Sequence, residues 1–280
     1  MNTFLHTMKE YLELRRLSKN TQESYLRIVR QFAEFFNTSV EHLGEREIKD
    51  YLLHLSRTDC ASSTLRVNRA ALKFLYEVVL AKPWEIEKIP HVKCPQRLPI
   101  VLSREEINAL LNAAINLKHK ALLAIGYSAG LRTSEIAQLK VTDIDSSRMQ
   151  IRIENAKGAK DRYSILSKTA LQILRRYWKA YRPSFWIFPR PHFKDIPISY
   201  RAISFVFNQY KEKAGITKPA TVHSLRHSFA THLLENGVNL HHIQLLLGHK
   251  SLETTMIYLH VQRVDLQKIT SPLDVISVKK

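Results

Sequence analysis

Cysteine, glycine, acidic side chains and long apolar runs are all scarce in this chain. Its 280 residues hold two cysteines, Cys60 and Cys94, in different segments. So few thiols build no disulfide framework; they point to a reducing cytosol, with both as packing residues. No apolar run reaches the roughly 18 residues that a membrane-spanning helix needs. The opening MNTFLHTMKEYLEL has no basic stretch followed by a long apolar core, so no secretory leader is expected. The GxxxxGK[ST] loop that cradles nucleotide phosphates is absent, and so is any carboxylate cluster suited to Mg²⁺. Acidic residues number 25 against 43 Lys and Arg, giving a net charge of +18 and a pI near 9.9. A charge of that sign and size, spread through both halves, calls for a polyanionic partner, and nucleic acid fits. A hydrophobic share of 45% argues against disorder and leaves room for two domains with their own cores.

Up to residue 88 the chain has a single glycine, Gly44, and no proline before Pro83, and it reads as helix throughout. Phe4, Leu5, Met8, Tyr11 and Leu12 recur at helical spacing. Asn20 with Glu23 three residues on resembles a capping box. Tyr25, Ile28, Val29, Phe32, Phe35 and Phe36 form one apolar stripe. A third helix over 45–55 and a fourth over 63–80, with Leu65, Ala70, Ala71, Phe74, Leu75 and Val78 inward, complete a small bundle. Arg66, Arg69 and Lys73 share the opposite face. Such a face is either simply solvated or touches phosphates, and Lys19, Thr21 and the overall charge keep the second reading level with the first.

Pro83, Pro90, Pro95 and Pro99 frame KIPHVKCPQRLP, which cannot be one helix. The domains are therefore expected at 1–88 and 100–280, with 89–99 a linker whose Lys93 and Arg97, next to Lys88, suit a strap across phosphates. Ser103 and Glu106 form a capping box opening a helix over 105–117, followed by a more apolar, buried helix over 120–129. Met149, Ile151 and Ile153 alternate with polar residues, as does 163–166, and Gly158 between them permits an antiparallel hairpin. Ser167 starts a helix running to Trp178. Residues 184–197, rich in aromatics and proline, read as irregular or short strand that packs beneath the rest. The fold class is mainly α with a small antiparallel sheet (α+β).

The densest chemistry lies in residues 221–261, TVHSLRHSFATHLLENGVNLHHIQLLLGHKSLETTMIYLHV. His223 and Arg226 stand at i and i+3, so a helix or its first turn puts them on one face. A helix over 228–235 is expected to stop at Asn236-Gly237, where a left-handed C-cap costs little. A second, over 240–247, ends at Gly248 with His249 just beyond. Ser251 suits the N-cap of a third that carries Tyr258. Tight turns between short helices bring four polar side chains to one mouth. A phenol of pKa about 10 attacks poorly at neutral pH without a base or a strong positive field. A phosphodiester offers two non-bridging oxygens that gain charge during in-line displacement, and forked guanidinium donors match them. Arg226 supplies one fork. Arg132, in GLRTSEIAQL after Gly130-Leu131 and at the start of an amphipathic helix, supplies another. The departing 5′-oxygen needs a proton, which Lys157 can give from the hairpin tip in NAKGAKDRYSIL; Lys160, three residues on, is its rival. His223, His227 and His232 lie four and five residues apart, yet no Cys or carboxylate completes a zinc set, so no metal and no other cofactor is expected.

These pieces together resemble the tyrosine recombinases of the phage-integrase family, in their compact Xer-like form. The match lies in SKNTQESYLRIVRQFAEFF, GLRTSEIAQL, KGAKDR, HSLRHSFATHLLENG and LLGHKSLETTMIYLHV, which follow the family order and span most of the chain. The resemblance implies an N-terminal SAM-like helical bundle forming one jaw of a clamp on double-stranded DNA, followed by a catalytic domain. It implies Arg132 and Arg226 as phosphate clamps, Lys157 as general acid and His223 as general base. His249, at a position that can hold Trp in the wider family, becomes a further phosphate donor, and Tyr258 becomes the nucleophile of a 3′-phosphotyrosyl intermediate formed without ATP. It also implies a tetramer on paired DNA sites, with the tail after Tyr258 (Val264, Leu266, Ile269, Leu273, Val275, Ile276) reaching a neighbouring protomer, and a cytoplasmic place of work on the nucleoid. A type IB topoisomerase shares the chemistry, and a non-catalytic DNA-binding regulator shares the charge. The short chain and small N-terminal bundle favour the recombinase over the first, and the complete residue set favours it over the second.

Overall fold

The computed structural model describes residues 2–58, 60–82, 98–156 and 160–259, with the backbone alone at 2, 3, 155, 156 and 160. The expected linker strap at Lys88 and Lys93, the hairpin tip with Lys157, the side chain of Lys160 and the apolar tail all lie outside that description. The chain divides into two compact units, Met1–Gln96 and Arg97–Lys280.

The first unit is helical. It consists of α1 (Asn2–Leu14), α2 (Lys19–Phe36), a short 3₁₀ turn (Val40–His42), α3 (Glu45–Arg57) and α4 (Ser62–Phe74), which runs on into a wider π turn at Leu75–Val79. Met8, Leu12, Val29, Phe32, Leu72 and Leu75 meet in its core. Phe32 sits edge-on against Tyr51 with ring centroids 5.2 Å apart. The Tyr76 hydroxyl donates to Leu43 O at 2.8 Å, tying the end of the fourth helix to the entry of the third. Two details differ from the sequence reading. The cap of α2 is Ser18, whose Oγ accepts from Thr21 N at 3.3 Å, so Asn20 lies inside the helix. Phe35, expected in the apolar stripe, is exposed at the helix surface, where it packs beside Tyr51 and His54. Cys60 is a half-buried free thiol.

The second unit opens with α5 (Arg104–Ala113), capped as expected by Ser103 Oγ on Glu106 N at 3.2 Å and by Glu106 Oε2 on Ser103 N at 2.7 Å. The helix does not reach 117. Asn116 is extended, and its side chain accepts from Lys118 N at 2.9 Å, starting α6 (Leu117–Ser128) instead. That helix is buried from Ala121 to Gly126. After it come α7 (Thr133–Ala137), β1 (Ile144–Asp145), β2 (Gln150–Ala156) and β3 (Lys160–Ile165), the strands forming an antiparallel sheet in the order β1-β2-β3. Next are α8 (Lys168–Tyr181), capped by Ser167, and a two-stranded sheet, β4 (Pro189–Arg190) with β5 (Phe193–Pro197). The aromatic stretch packs only in part: Ile187 and Phe188 are buried while Phe185 and Phe193 are exposed, and Ile187 N donates to Leu139 O at 2.8 Å, fastening the strip to the segment after α7. Four helices close the unit, α9 (Tyr200–Lys213), which the sequence reading left unassigned, then α10 (Val222–Glu235), α11 (Leu240–Leu247) and α12 (Glu253–Met256). Mainly helical with small antiparallel sheets, the fold class is the one expected. Among the described residues no helix is long and apolar enough to cross a membrane.

Candidate active site

The site is built where two helices end. Both α6 and α11 give way to a glycine in the left-handed region, Gly130 at φ 60° and Gly248 at φ 64°, which reverses the chain at low cost. At Gly130 no side chain fits: a Cβ would stand 2.3 Å from the Phe229 ring. Helix C-termini leave carbonyls without intrahelical partners and carry the negative end of the macrodipole. Here those carbonyls hold Arg226, whose Nη1 donates to Gly130 O at 2.7 Å and Nη2 to Leu247 O at 2.6 Å. Arg226 comes from the first turns of α10, which run without a break from His223 to Glu235. It is only 1% exposed. Burial pulls its pKa down to about 9, still far above neutrality, so the cation persists.

Its counter-charge is Glu135. The Glu135 carboxylate accepts from Arg132 N at 2.7 Å, from Arg132 Nη1 at 2.8 Å and from both terminal nitrogens of Arg162, at 2.6 and 2.8 Å. It also lies 3.7 Å from Arg226 Nη1. Burial alone would push this carboxyl up, but the Arg162 hydrogen bonds and charge, with Arg132 and Arg226, override it and hold the pKa at about 2. One buried carboxylate therefore organises three guanidiniums. Arg132 is the most open of the three, lying at the edge of a polar cleft of about 510 Å³ that also takes in Gln138 and Arg152.

Neither Glu135 nor Arg162 is among the residues singled out from the sequence. Glu135 stands three residues after Arg132, where an acidic residue is ordinary at a helix start. Arg162 belongs to a strand whose alternation is inverted: Arg162 and Ser164 are buried, while Tyr163 and Ile165 are exposed. Its Nε donates to Leu246 O at 2.9 Å, and its Cδ would lie only 2.7 Å from a Cβ added to Gly248. Arg162 thus ties the hairpin strand to Glu135 and to the end of α11.

The remaining members gather around Tyr258. Ser251 Oγ accepts from Glu253 N at 3.1 Å, but the N-cap of α12 is Leu252 rather than Ser251, and the helix ends at Met256, so Tyr258 sits in the turn beyond. It is 1% exposed. Burial raises the phenol pKa, while Arg226 and Arg132 oppose the rise. His249 lies just past Gly248, with its ring stacked on Tyr258 at 6.4 Å and its Nδ1 2.9 Å from Thr255 Oγ1. Burial, then Arg226, Arg132 and Arg162, push its pKa down to about 3, so it is a neutral imidazole at pH 7. His223 stands at the exposed start of α10, and the protein on its inner side, with Arg226 and Arg132, lowers its pKa. The imidazole nitrogen beside the phenol belongs to a histidine that the sequence reading considered only as a metal ligand: His227 Nδ1 is 3.1 Å from Tyr258 Oη.

The structure therefore gathers Arg132, His223, Arg226, His249 and Tyr258 into one cluster, linked by ring contacts and by mutual electrostatic influence. Lys157 lies outside the described residues, although the paired strands on either side of it are seen. The five residues proposed for DNA contact belong to the first unit. Lys19 opens α2, and Thr21 Oγ1 bonds Ser18 Oγ at 2.8 Å within the cap. Arg66 and Lys73 are exposed on α4, Arg69 is half-buried, and Lys73 lies 3.4 Å from Glu77. A wall of fixed cations with a phenol and neutral imidazoles is chemically suited to a phosphodiester: the forks neutralise its oxygens, the phenol supplies a nucleophile and the imidazoles accept or donate protons.

The chain matches the phage integrase family over residues 101–264 and the N-terminal SAM-like domain of phage integrases over residues 4–86. It is 42% identical over 278 residues to the integrase/recombinase-type protein y4qK of Sinorhizobium fredii, covering 99% of this chain and 90% of that one. The tyrosine recombinase XerA of Pyrococcus horikoshii is 34% identical, covering 94% and 91% of the respective chains. A crystal structure of the XerH site-specific recombinase, bound to a palindromic difH substrate in a post-cleavage complex, superposes with a TM-score of 0.72 at 22% identity, over 90% of this chain and 80% of that one. The chain belongs to the phage integrase family of tyrosine recombinases.

Proposed function

We propose that this enzyme recombines duplex DNA at specific sites, with Tyr258 attacking a scissile phosphate to give a 3′-phosphotyrosyl link and a free 5′-hydroxyl. The bond energy is conserved in that link, so a 5′-hydroxyl from a partner duplex can attack it and complete strand exchange without ATP. The reading rests on the phenol of Tyr258, which is enclosed with His227 and His249 and lies within the field of Arg226 and Arg132. Arg132 and Arg226 clamp the non-bridging oxygens, and His249, neutral, donates to one of them. By analogy with oxyanion donors, each is worth about 3–4 kcal/mol of transition-state stabilisation. The base is supplied by the histidine pair in the first turns of α10, of which His223 is the member that the sequence points to, and Lys157 protonates the departing 5′-oxygen. The basic face of Arg66, Arg69 and Lys73, with Lys19 and Thr21, contacts the sugar–phosphate backbone, in keeping with the net charge of +18 and with the DNA carried by the XerH structure.

The role of Lys157 has a direct test. Lys157→Ala is expected to cleave ordinary duplex about 10²–10⁴-fold more slowly, the usual worth of a positioned acid. It is expected to regain wild-type cleavage on DNA with sulfur at the 5′-bridging position, a leaving group that needs no proton. No recovery on the sulfur substrate would remove Lys157 from the acid's role and hand it to Lys160.

Exchange between two duplexes breaks four strands, so four chains act together, the tail after Tyr258 docks on a neighbouring protomer, and the mass of the complex on paired sites is the check. The domain division at 1–88, 89–99 and 100–280 serves this reading, with the basic linker as a strap across phosphates. The working place is the cytoplasm, in association with the nucleoid, where DNA is met and where Cys60 and Cys94 stay reduced.

A further inference from the structure

We propose that His227 is the catalytic group that takes the proton from Tyr258 as the phenol attacks phosphorus. The inference rests on Tyr258 being the nucleophile and adds to it the question of where its proton goes. Tyr258 is only 1% exposed, so bulk water is a poor acceptor and a protein group must serve. Two imidazoles adjoin the phenol and a third lies behind them. His249 lies face to face with it at a ring distance of 6.4 Å, but its Nδ1 is engaged with Thr255 Oγ1 at 2.9 Å, and three guanidiniums disfavour a further positive charge there. His223 is one layer out, its ring set edge-on against His227 at 4.6 Å. His227 is the one in hydrogen-bond reach, with Nδ1 3.1 Å from Oη.

The groups that set the charge of His227 are its own helix neighbours His223 and Arg226, and across the gap Tyr258. Burial, then His223 and Arg226, push its pKa down to about 4, which keeps the ring neutral and able to accept. An incoming phosphodiester opposes the arginine field and raises the ring's proton affinity at the moment of attack. In the step itself the Oη–H proton passes to His227 Nδ1, the Oη–P bond forms and the P–O5′ bond breaks. The 5′-oxygen takes its proton from the acid on the hairpin, and His227 becomes imidazolium beside the exposed His223. In rejoining, the same proton returns to the phenolate as it departs.

The test is single-turnover cleavage of a nicked duplex that traps the covalent adduct. His227→Asn places a carbonyl near the Nδ1 position, which can accept the phenol's hydrogen bond but cannot carry its proton. Expected are unchanged DNA affinity, a cleavage rate at pH 7 lower by about 10²–10⁴-fold, and a rate that climbs with pH as hydroxide replaces the missing base. His227→Gly is expected to recover activity in proportion to added imidazole. His227→Gln, read alongside by circular dichroism, covers the case in which the Asn variant misfolds and is expected to show the same loss. Cleavage by folded His227→Asn or His227→Gln within about threefold of wild type, with no change in pH dependence, overturns the proposal. Tyr258→Phe measured in parallel separates the two levels. If it is inert while the His227 variants are normal, only the His227 role fails; if it still forms adduct, the nucleophile reading itself fails.

Discussion

Tyr258→Phe is expected to bind duplex DNA with wild-type affinity and to form no covalent adduct at all. The substitution removes one oxygen from a side chain whose ring stays packed beside His249 and within the cluster of Phe229, Leu234, Ile243 and Leu247. What it costs structurally is the hydrogen bond to His227, leaving a part-buried ring nitrogen unpaired at about 1–3 kcal/mol. Affinity is carried by phosphate contacts, which the hydroxyl does not make in the unreacted complex, so the binding isotherm and its salt dependence should not move. Cleavage has no second route, and loss of a nucleophile costs on the order of 10⁶ in rate where it has been measured in other enzymes. Filter binding and denaturing gels on one nicked duplex read both quantities. An adduct persisting in the variant would move the nucleophile elsewhere.

The second large effect concerns Glu135. Glu135→Gln is expected to destabilise the protein by about 3–5 kcal/mol, because it leaves buried cations uncompensated. Arg162 and Arg226 side chains are 7% and 1% exposed, so neither can turn to water for relief. Cleavage should fall as well, since Arg132 loses the partner of both its backbone N–H and its Nη1. The pH dependence gives an independent signature. The carboxyl pKa of about 2 in the folded state lies below its ordinary value of 4.5, so its stabilisation is complete above about 4.5 and is lost as the pH falls through about 2. At about 1.4 kcal/mol per pKa unit, that drop is worth about 3 kcal/mol. His227 and His249, held at about 4 and about 3, work in the same direction but begin earlier: the unfolded chain takes up protons below 6.5 that the folded rings refuse. Urea midpoints of the full chain measured from pH 7 to pH 3 should fall in both proteins, and Glu135→Gln should lack the component below 4.5. Equal stability of the two proteins at pH 7 would contradict the picture of one carboxylate holding three arginines.

Local rules carried the sequence reading a long way at this site. His223 and Arg226 share a helix face by arithmetic, Gly248 ends α11 where the glycine predicts, and His249 follows it. The residues that escaped are those whose work is done across the fold. Arg162 reads as an ordinary outward polar residue of a hairpin; only the packed sheet reveals that β3 turns its polar side inward, because a guanidinium partner for Glu135 is needed there. Glu135 reads as a helix-start charge, and its three arginine partners come from the N-cap of α7, from β3 and from α10. His227 is a different case, since it lies four residues after His223 on the same helix face, a spacing weighed only for metal binding. What spacing did not show was which of the two rings meets Tyr258, a matter settled by how the turn after α12 folds back. The errors in element ends have a similar origin. Asn116 and Ser18 captured helix starts because their side chains reach the free N–H groups, which the apolar pattern does not register.

The most direct measurement is the position of the DNA on the trapped protein. Digesting the wild-type adduct with trypsin and sequencing the nucleotide-bearing peptide by mass spectrometry should place the added mass on SLETTMIYLHVQR, the peptide between Lys250 and Arg263, in which Tyr258 is the sole tyrosine. Nucleotide mass on any other peptide, or a nicked duplex that is cut without ever becoming attached to the protein, would contradict the account at its centre.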